Sequence, residues 1–222
     1  MSAREVRTTK LVIVRHGNTF DRGEVPLRIG VRTDMPLSSS GREQAVLLGR
    51  YLRQAGIRPS AAFSSKLERA WRTAELAFGE AAIDCSLERL EMFNEIDYGP
   101  DEAKTEEEVI ARVGQEAMDL WNKSALVPRG WLFNPEVAVE NWRNFAEMAE
   151  TSHREGVIMV FTSNGIARFA PHLTGDFEKF SRDYDIKMST GALSILEKGS
   201  SDSHWRVVSW NLRPKDYLQP KE

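Results

Sequence analysis

Short apolar runs alternate with amphipathic helical stretches along this chain, and that alternation constrains the fold more than any single residue does. "LVIV", Leu11–Val14, reads as a short, fully buried strand. Residues 18–39, with Pro26, Gly30, Pro36 and a serine run, read as loop. "SGREQAVLLGRYLRQAG" predicts a helix. Ser40 and Glu43 have capping-box spacing, apolar residues recur at Ala45, Leu48, Leu52 and Ala55, and Gly56 closes it. "AAFSS" reads as a second strand, "KLERAWRTAELAFG" as a second helix ended by Gly79, and "AIDCSL" as a third strand. Residues 105–121 and 136–150 read as helical, and "GVIMVFTS" is the clearest strand signal in the chain. "GALSILEKGSSDSHWRVVSW" reads as a hairpin turning at Gly199–Ser203, and the tail "RPKDYLQPKE" as loosely held. Strands separated by helices need a sheet covered on both faces. The expectation is an α/β fold: a mainly parallel sheet of about six strands, helices on both faces, and an antiparallel hairpin near the C-terminus.

Composition sets outer bounds. The 222 residues suffice for one domain with a real core, and residues 1–222 are read as one. A formal net charge of -3 argues against a nucleic-acid binder or a basic membrane-surface protein, so an anionic ligand would have to be held by local cations. Cys85 is the only cysteine, which excludes an internal disulfide and suits a reducing compartment. "MSAREVRTTK" has no apolar core of signal-peptide length, and no run of 18 apolar residues occurs. A cytoplasmic protein is expected.

The first strand ends in an unusual way. A strand that only fills a core ends in a turn residue, but this one runs into Arg15, His16 and Gly17. In open α/β sheets, ligands sit beyond the carboxyl ends of the strands. Arg15–His16 and Thr162–Asn164 both fall just past strand ends, so they are expected to be neighbours despite their separation in sequence.

These segments carry a resemblance. "VRHGNT" resembles the signature of the histidine phosphatase superfamily, the phosphoglycerate mutase-like fold. "TDMPLSSSGREQA", "FSSKLERAWRTAE", "FNEIDYG" and "GVIMVFTSNGIAR" follow in that family's order, from about Leu11 to Arg168. The resemblance implies a phosphomonoester hydrolase acting through a phosphohistidine on a small phosphorylated metabolite. It implies no cofactor, and the four widely spaced histidines, with no His-x-x-x-His pair, argue against a metal.

The resemblance also assigns roles. His16 would be the nucleophile, since a neutral imidazole nitrogen can attack phosphorus near neutral pH. Arg15 and Arg69 would hold the phosphoryl oxygens, because planar guanidinium forks match their spread charge. Glu95 would be the general acid, its proton retained by partial burial near Phe93, Ile96 and Tyr98. Thr19 would donate to a phosphate oxygen, and Gly17 and Gly165 would let backbone approach the anion. The family's second histidine position is occupied by Asn164, which can donate an N–H but brings no charge. A phosphatase with reduced or altered activity and a phosphate-binding module without turnover therefore both remain. A mutase-type phosphotransferase is a third reading, disfavoured because "RHGNTFDRG" lacks the tryptophan of cofactor-dependent mutases. Arg22, Arg28 and Arg32 either read a second anionic group or are solvated loop charges. Trp121, Trp131 and Trp142 are either core or the wall of the leaving-group side, and His153, His172 and His204 are read as structural.

Overall fold

The structure, a computed structural model, describes residues 8–218. Six strands form one sheet: β1 (Thr8–Arg15), β2 (Ala61–Ser64), β3 (Leu87–Arg89), β4 (Val157–Thr162), β5 (Leu193–Gly199) and β6 (Arg206–Leu212), in the order β3-β2-β4-β1-β5-β6. The pairs β1–β4, β2–β3 and β2–β4 are parallel; β1–β5 and β5–β6 are antiparallel. The mainly parallel sheet with a C-terminal hairpin is the architecture expected from the sequence.

The strand residues explain why the sheet is covered twice. On β1, Leu11 and Ile13 point to one face and Val12 and Val14 to the other, all of them buried. Val12 and Val14 meet the apolar faces of α1 (Ser39–Gln54) and α2 (Glu68–Ala81) through Leu48, Leu52, Ala70, Ala74 and Ala77. Leu11 and Ile13 face a second layer that includes α5 (Pro135–Ser152), where Phe93, Trp142 and Phe145 pack edge to face. The chain leaves β1 for β2 and β3 on one side, then returns with β4 inserted between β2 and β1. That insertion sets the carboxyl ends of β1 and β4 side by side.

Several element boundaries differ from those expected. The cap of α1 is Ser38, whose side chain accepts from the Gly41 amide, because Asp21 already accepts the amides of Ser39 and Ser40. α2 runs through Gly79 and stops where Ala82 turns left-handed. The third strand is Leu87–Arg89 rather than residues 82–87. The helical stretch at 105–121 is two helices, α3 (Glu106–Val113) and α4 (Gln115–Ser124), broken where Gly114 takes φ +89. The short α6 (Asn164–Ala167) and α7 (Phe177–Asp183) were not anticipated. The described part of the tail is held: Pro214 is buried and the Tyr217 ring meets Tyr51 on α1 at 6.1 Å. The rest of that tail lies outside the described residues. No helix among the described residues is long and apolar enough to cross a membrane.

Candidate active site

Arg15 pairs in register with Thr162, and the His16 amide donates to the Thr162 carbonyl at 3.0 Å. Arg15–His16 and Asn164 therefore emerge together at the carboxyl edge of the sheet. Arg15, His16, Thr19, Arg69, Glu95 and Asn164 line one cavity of about 810 Å³, a size suited to a small molecule. Gly17 and Gly165 do not line it.

His16 is 7% exposed, and its Nδ1 lies 2.7 Å from the Gly17 carbonyl oxygen. A carbonyl can only accept, so Nδ1 carries the hydrogen and Nε2 keeps the lone pair. Burial, then the Arg69 and Arg15 guanidinium groups, hold the imidazole pKa well below the usual histidine range. The ring is thus held neutral, with its Nε2 lone pair unprotonated.

The two arginines come from different elements. Arg69, on the first turn of α2, is 1% exposed and donates to the carbonyls of Thr33 at 2.9 Å and Gly30 at 3.1 Å. Asp34 approaches it at 4.0 Å. The loop before α1 folds over this guanidinium and fixes it. Arg15 donates to the Met188 carbonyl, and its buried Nε has no partner among the described residues.

Glu95 follows β3 and is 6% exposed. Its Oε1 accepts the Ile96 amide at 2.9 Å and its Oε2 the Gly165 amide at 3.1 Å. Asn164 Oδ1 accepts the Met188 amide at 3.0 Å, which turns Nδ2, without a partner among the described residues, the other way. The Thr19 hydroxyl also has no partner among the described residues.

The two glycines are spent on neighbouring residues. The Gly17 amide donates to Thr73 Oγ1 at 3.1 Å, and a Cβ there would stand 2.4 Å from the Gly41 carbonyl oxygen. Gly17 lets β1 meet the start of α1. A Cβ on Gly165 would stand 2.1 Å from Glu95 Oε1, so Gly165 makes room for the carboxyl group. Asn18 acts similarly: its amide donates to Gln44 at 2.8 Å and its Nδ2 to Ser40 at 3.1 Å, locking the turn after His16.

Arg15, Arg22, Arg28, Arg69, Arg168 and Lys187 line the cavity against Asp21, Glu24, Glu95 and Glu106. Asp21 accepts the α1 amides of Ser39 and Ser40, and the Ser40 hydroxyl, the Ser40 amide and the Ser38 hydroxyl hold its pKa low. Glu106 pairs with Arg28, whose guanidinium lies over the Tyr98 and Trp131 rings. Arg28 therefore brings no free charge, and Arg32 pairs with Asp97 at 3.1 Å outside the cavity. The remaining surplus is cationic and suits an anion. Trp121 lines the cavity, Trp131 packs against Trp121, and Trp142 lies in the core against Phe93 and Phe145. His172 is stacked on Phe177 with ring centroids 4.1 Å apart and does not reach the cavity.

Arg168, like Asn18, Asn122, Lys187 and Thr190, lines the cavity but was given no role by sequence reasoning. It is 1% exposed, four residues beyond Asn164, and that spacing was the available signal. Among the described residues no group of three or more His, Cys, Asp or Glu side chains could hold a metal ion.

Residues 11–213 match the family model described as Histidine phosphatase superfamily (branch 1). The chain is 36% identical over 122 residues to a 2,3-bisphosphoglycerate-dependent phosphoglycerate mutase of Thermobifida fusca, covering 53% of this chain and 47% of that protein. It is 35% identical over 120 residues to a phosphoglycerate mutase of Candida albicans, covering 54% and 48%. The chain spans about half the length of the curated relatives it matches. Among solved structures, a mycobacterial glucosyl-3-phosphoglycerate phosphatase superposes with a TM-score of 0.74 at 20% identity, over 93% of this chain and 100% of that one. That phosphatase has also been solved with inorganic phosphate. Phosphoglycerate mutase from Bacillus anthracis superposes with a TM-score of 0.75 at 18% identity, over 94% and 95%. At these identities the structural likeness concerns the fold.

Proposed function

Because this chain belongs to the histidine phosphatase superfamily, branch 1, we propose that it hydrolyses a small phosphomonoester through a phosphoryl group carried on His16. The observation that carries this reading is the state of the ring: Nδ1 is tied to the Gly17 carbonyl, and protonation is suppressed by burial and by the Arg69 and Arg15 guanidinium groups. Arg15, Arg69, Thr19 and the Asn164 amide hold the phosphoryl oxygens. His16 Nε2 attacks phosphorus and forms a P–N bond. The ester P–O bond breaks, and the departing oxygen takes the proton of the Glu95 carboxyl. Water then attacks the phosphorus, Glu95 takes a proton from it, the P–N bond breaks and inorganic phosphate leaves. Asn164 stands where the family's second histidine is expected, so one charge-assisted donor is replaced by a neutral one.

Residues 1–222 act as one such domain, working in the cytoplasm without cofactor or metal. Hydrolysis is favoured over mutase-type transfer because the turn after His16 reads "RHGNTFDRG", without tryptophan. The test is a screen of phosphorylated metabolites for release of inorganic phosphate, with His16→Ala as control. Release by the wild type but not by His16→Ala is expected. Phosphoryl transfer to an acceptor without free phosphate would make the protein a mutase. Binding with no turnover would make it a phosphate-binding module.

A further inference from the structure

We infer that Arg168 is the third guanidinium of the phosphate pocket, bringing to the start of α6 the positive charge that Asn164 does not carry. The inference rests on the phosphatase reading above.

Arg168 follows the single turn of α6, so it shares a helix face with Asn164, and a long helical side chain leans back toward the N-terminus. It does so here. Its Nε lies 3.4 Å from the Asn164 carbonyl oxygen, and its Nη1 donates to the Trp121 carbonyl at 2.6 Å. The guanidinium centre sits 3.9 Å from the Trp121 ring centroid. Although 1% exposed, the side chain lines the cavity with His16, Arg15 and Glu95. No carboxylate forms an ion pair with it, and Nη2 has no protein partner, among the described residues.

A buried cation whose hydrogen bonds go only to carbonyls, and which Glu95 and Tyr98 influence only through space, is costly to keep. Burial pulls its pKa down to about 10, so it remains charged at neutral pH. A dianionic phosphoryl group entering the cavity would supply the missing counter-charge. Three guanidinium groups around one phosphoryl group also match its three equatorial oxygens. A purely structural role, tying α4 to α6 through the Trp121 and Asn164 carbonyls, would account for Nη1 and Nε and leave Nη2 unused.

The test is calorimetric titration with inorganic phosphate, which needs no turnover, on wild type, Arg168→Met and Arg168→Lys. Asn164→His is added to the wild-type and Arg168→Met backgrounds. Arg168→Met is expected to weaken phosphate binding about ten- to a hundredfold, with Arg168→Lys recovering part of it. Asn164→His should improve phosphate binding at least about fivefold more in the Arg168→Met background than in the wild-type background, since the charge is already present in the latter. Arg168→Met binding within about twofold of wild type, or equal gains from Asn164→His in both backgrounds, overturns the inference. Should Arg168→Met not fold, a wild-type structure with bound phosphate decides: Nη2 about 3 Å from a phosphate oxygen supports it, and a gap beyond about 4 Å overturns it. A wild type that binds no phosphate refutes the phosphatase reading itself, whereas binding insensitive to Arg168 refutes only this inference.

Discussion

Gly165→Ala adds one methyl group at the point where α6 meets the candidate acid, and its effect can be worked out from contacts. The new Cβ would lie 2.1 Å from Glu95 Oε1 and 3.0 Å from its carboxyl carbon, whereas ordinary contact begins near 3.4 Å. The carboxyl group must retreat by about 1.3 Å, and the hydrogen bond from the Gly165 amide to Oε2, now 3.1 Å, is lost or stretched. A misplacement of about 1 Å in a catalytic group can cost a hundredfold, and a positioned general acid contributes about 10²–10⁴. For an alkyl phosphate, whose departing oxygen needs a proton, kcat/KM should fall about a hundredfold or more. For p-nitrophenyl phosphate, whose leaving group departs unprotonated, it should fall less than about tenfold. Stability should change little: overpacking costs about 1–3 kcal/mol, and alanine in a helix returns up to about 1 kcal/mol. The assay compares both substrates on enzyme shown by thermal unfolding to be folded. Equal losses on the two, or an alkyl phosphate turned over at the wild-type rate, would refute the placement of Glu95 as the leaving-group acid.

Acid should destabilise the protein through His16. Its pKa lies well below the usual range when folded, so the unfolded chain binds a proton that the folded chain refuses. The stability is whole above about pH 6.5 and declines as pH falls through that value, so His16→Gln should flatten the drop in denaturant midpoint between about pH 8 and pH 5. A slope unchanged from wild type would contradict this. Asp101, 1% exposed, accepts from Trp131 Nε1 at 2.7 Å and pairs with Arg112. Trp131→Phe leaves that buried carboxylate short of a donor and should cost about 1–3 kcal/mol in urea unfolding. A loss below about 0.5 kcal/mol would show that the network is dispensable.

The fold was legible where burial on both faces made strands continuously apolar, as in β1 and β4, and where a helix was long enough to repeat its apolar stripe, as in α1, α2 and α5. It was illegible where elements are too short to show a period. β3 is a three-residue edge strand reading Leu-Glu-Arg, and α6 is a single turn. The apolar repeat of residues 105–121 continues across Gly114, and only its positive φ breaks the helix there. At the site, ordered motifs located His16, Arg69 and Glu95, and the burial of Glu95 was anticipated, but the surroundings of Arg69 were not. Arg69 stands among Lys66, Glu68 and Arg72 like a solvated residue, and it is buried only because carbonyls of the distant loop at 29–34 close over it. Arg168 was overlooked although it lies four residues beyond Asn164, because a one-turn helix is too short for that spacing to stand out as a pattern.

The most direct test is rapid quenching of the protein with a ³²P-labelled phosphomonoester, followed by digestion and mapping of the label. The account predicts an acid-labile, alkali-stable label that appears before free phosphate, maps to the peptide bearing His16, and is absent from His16→Ala. Turnover without any such label, or a label that survives in His16→Ala, would contradict it.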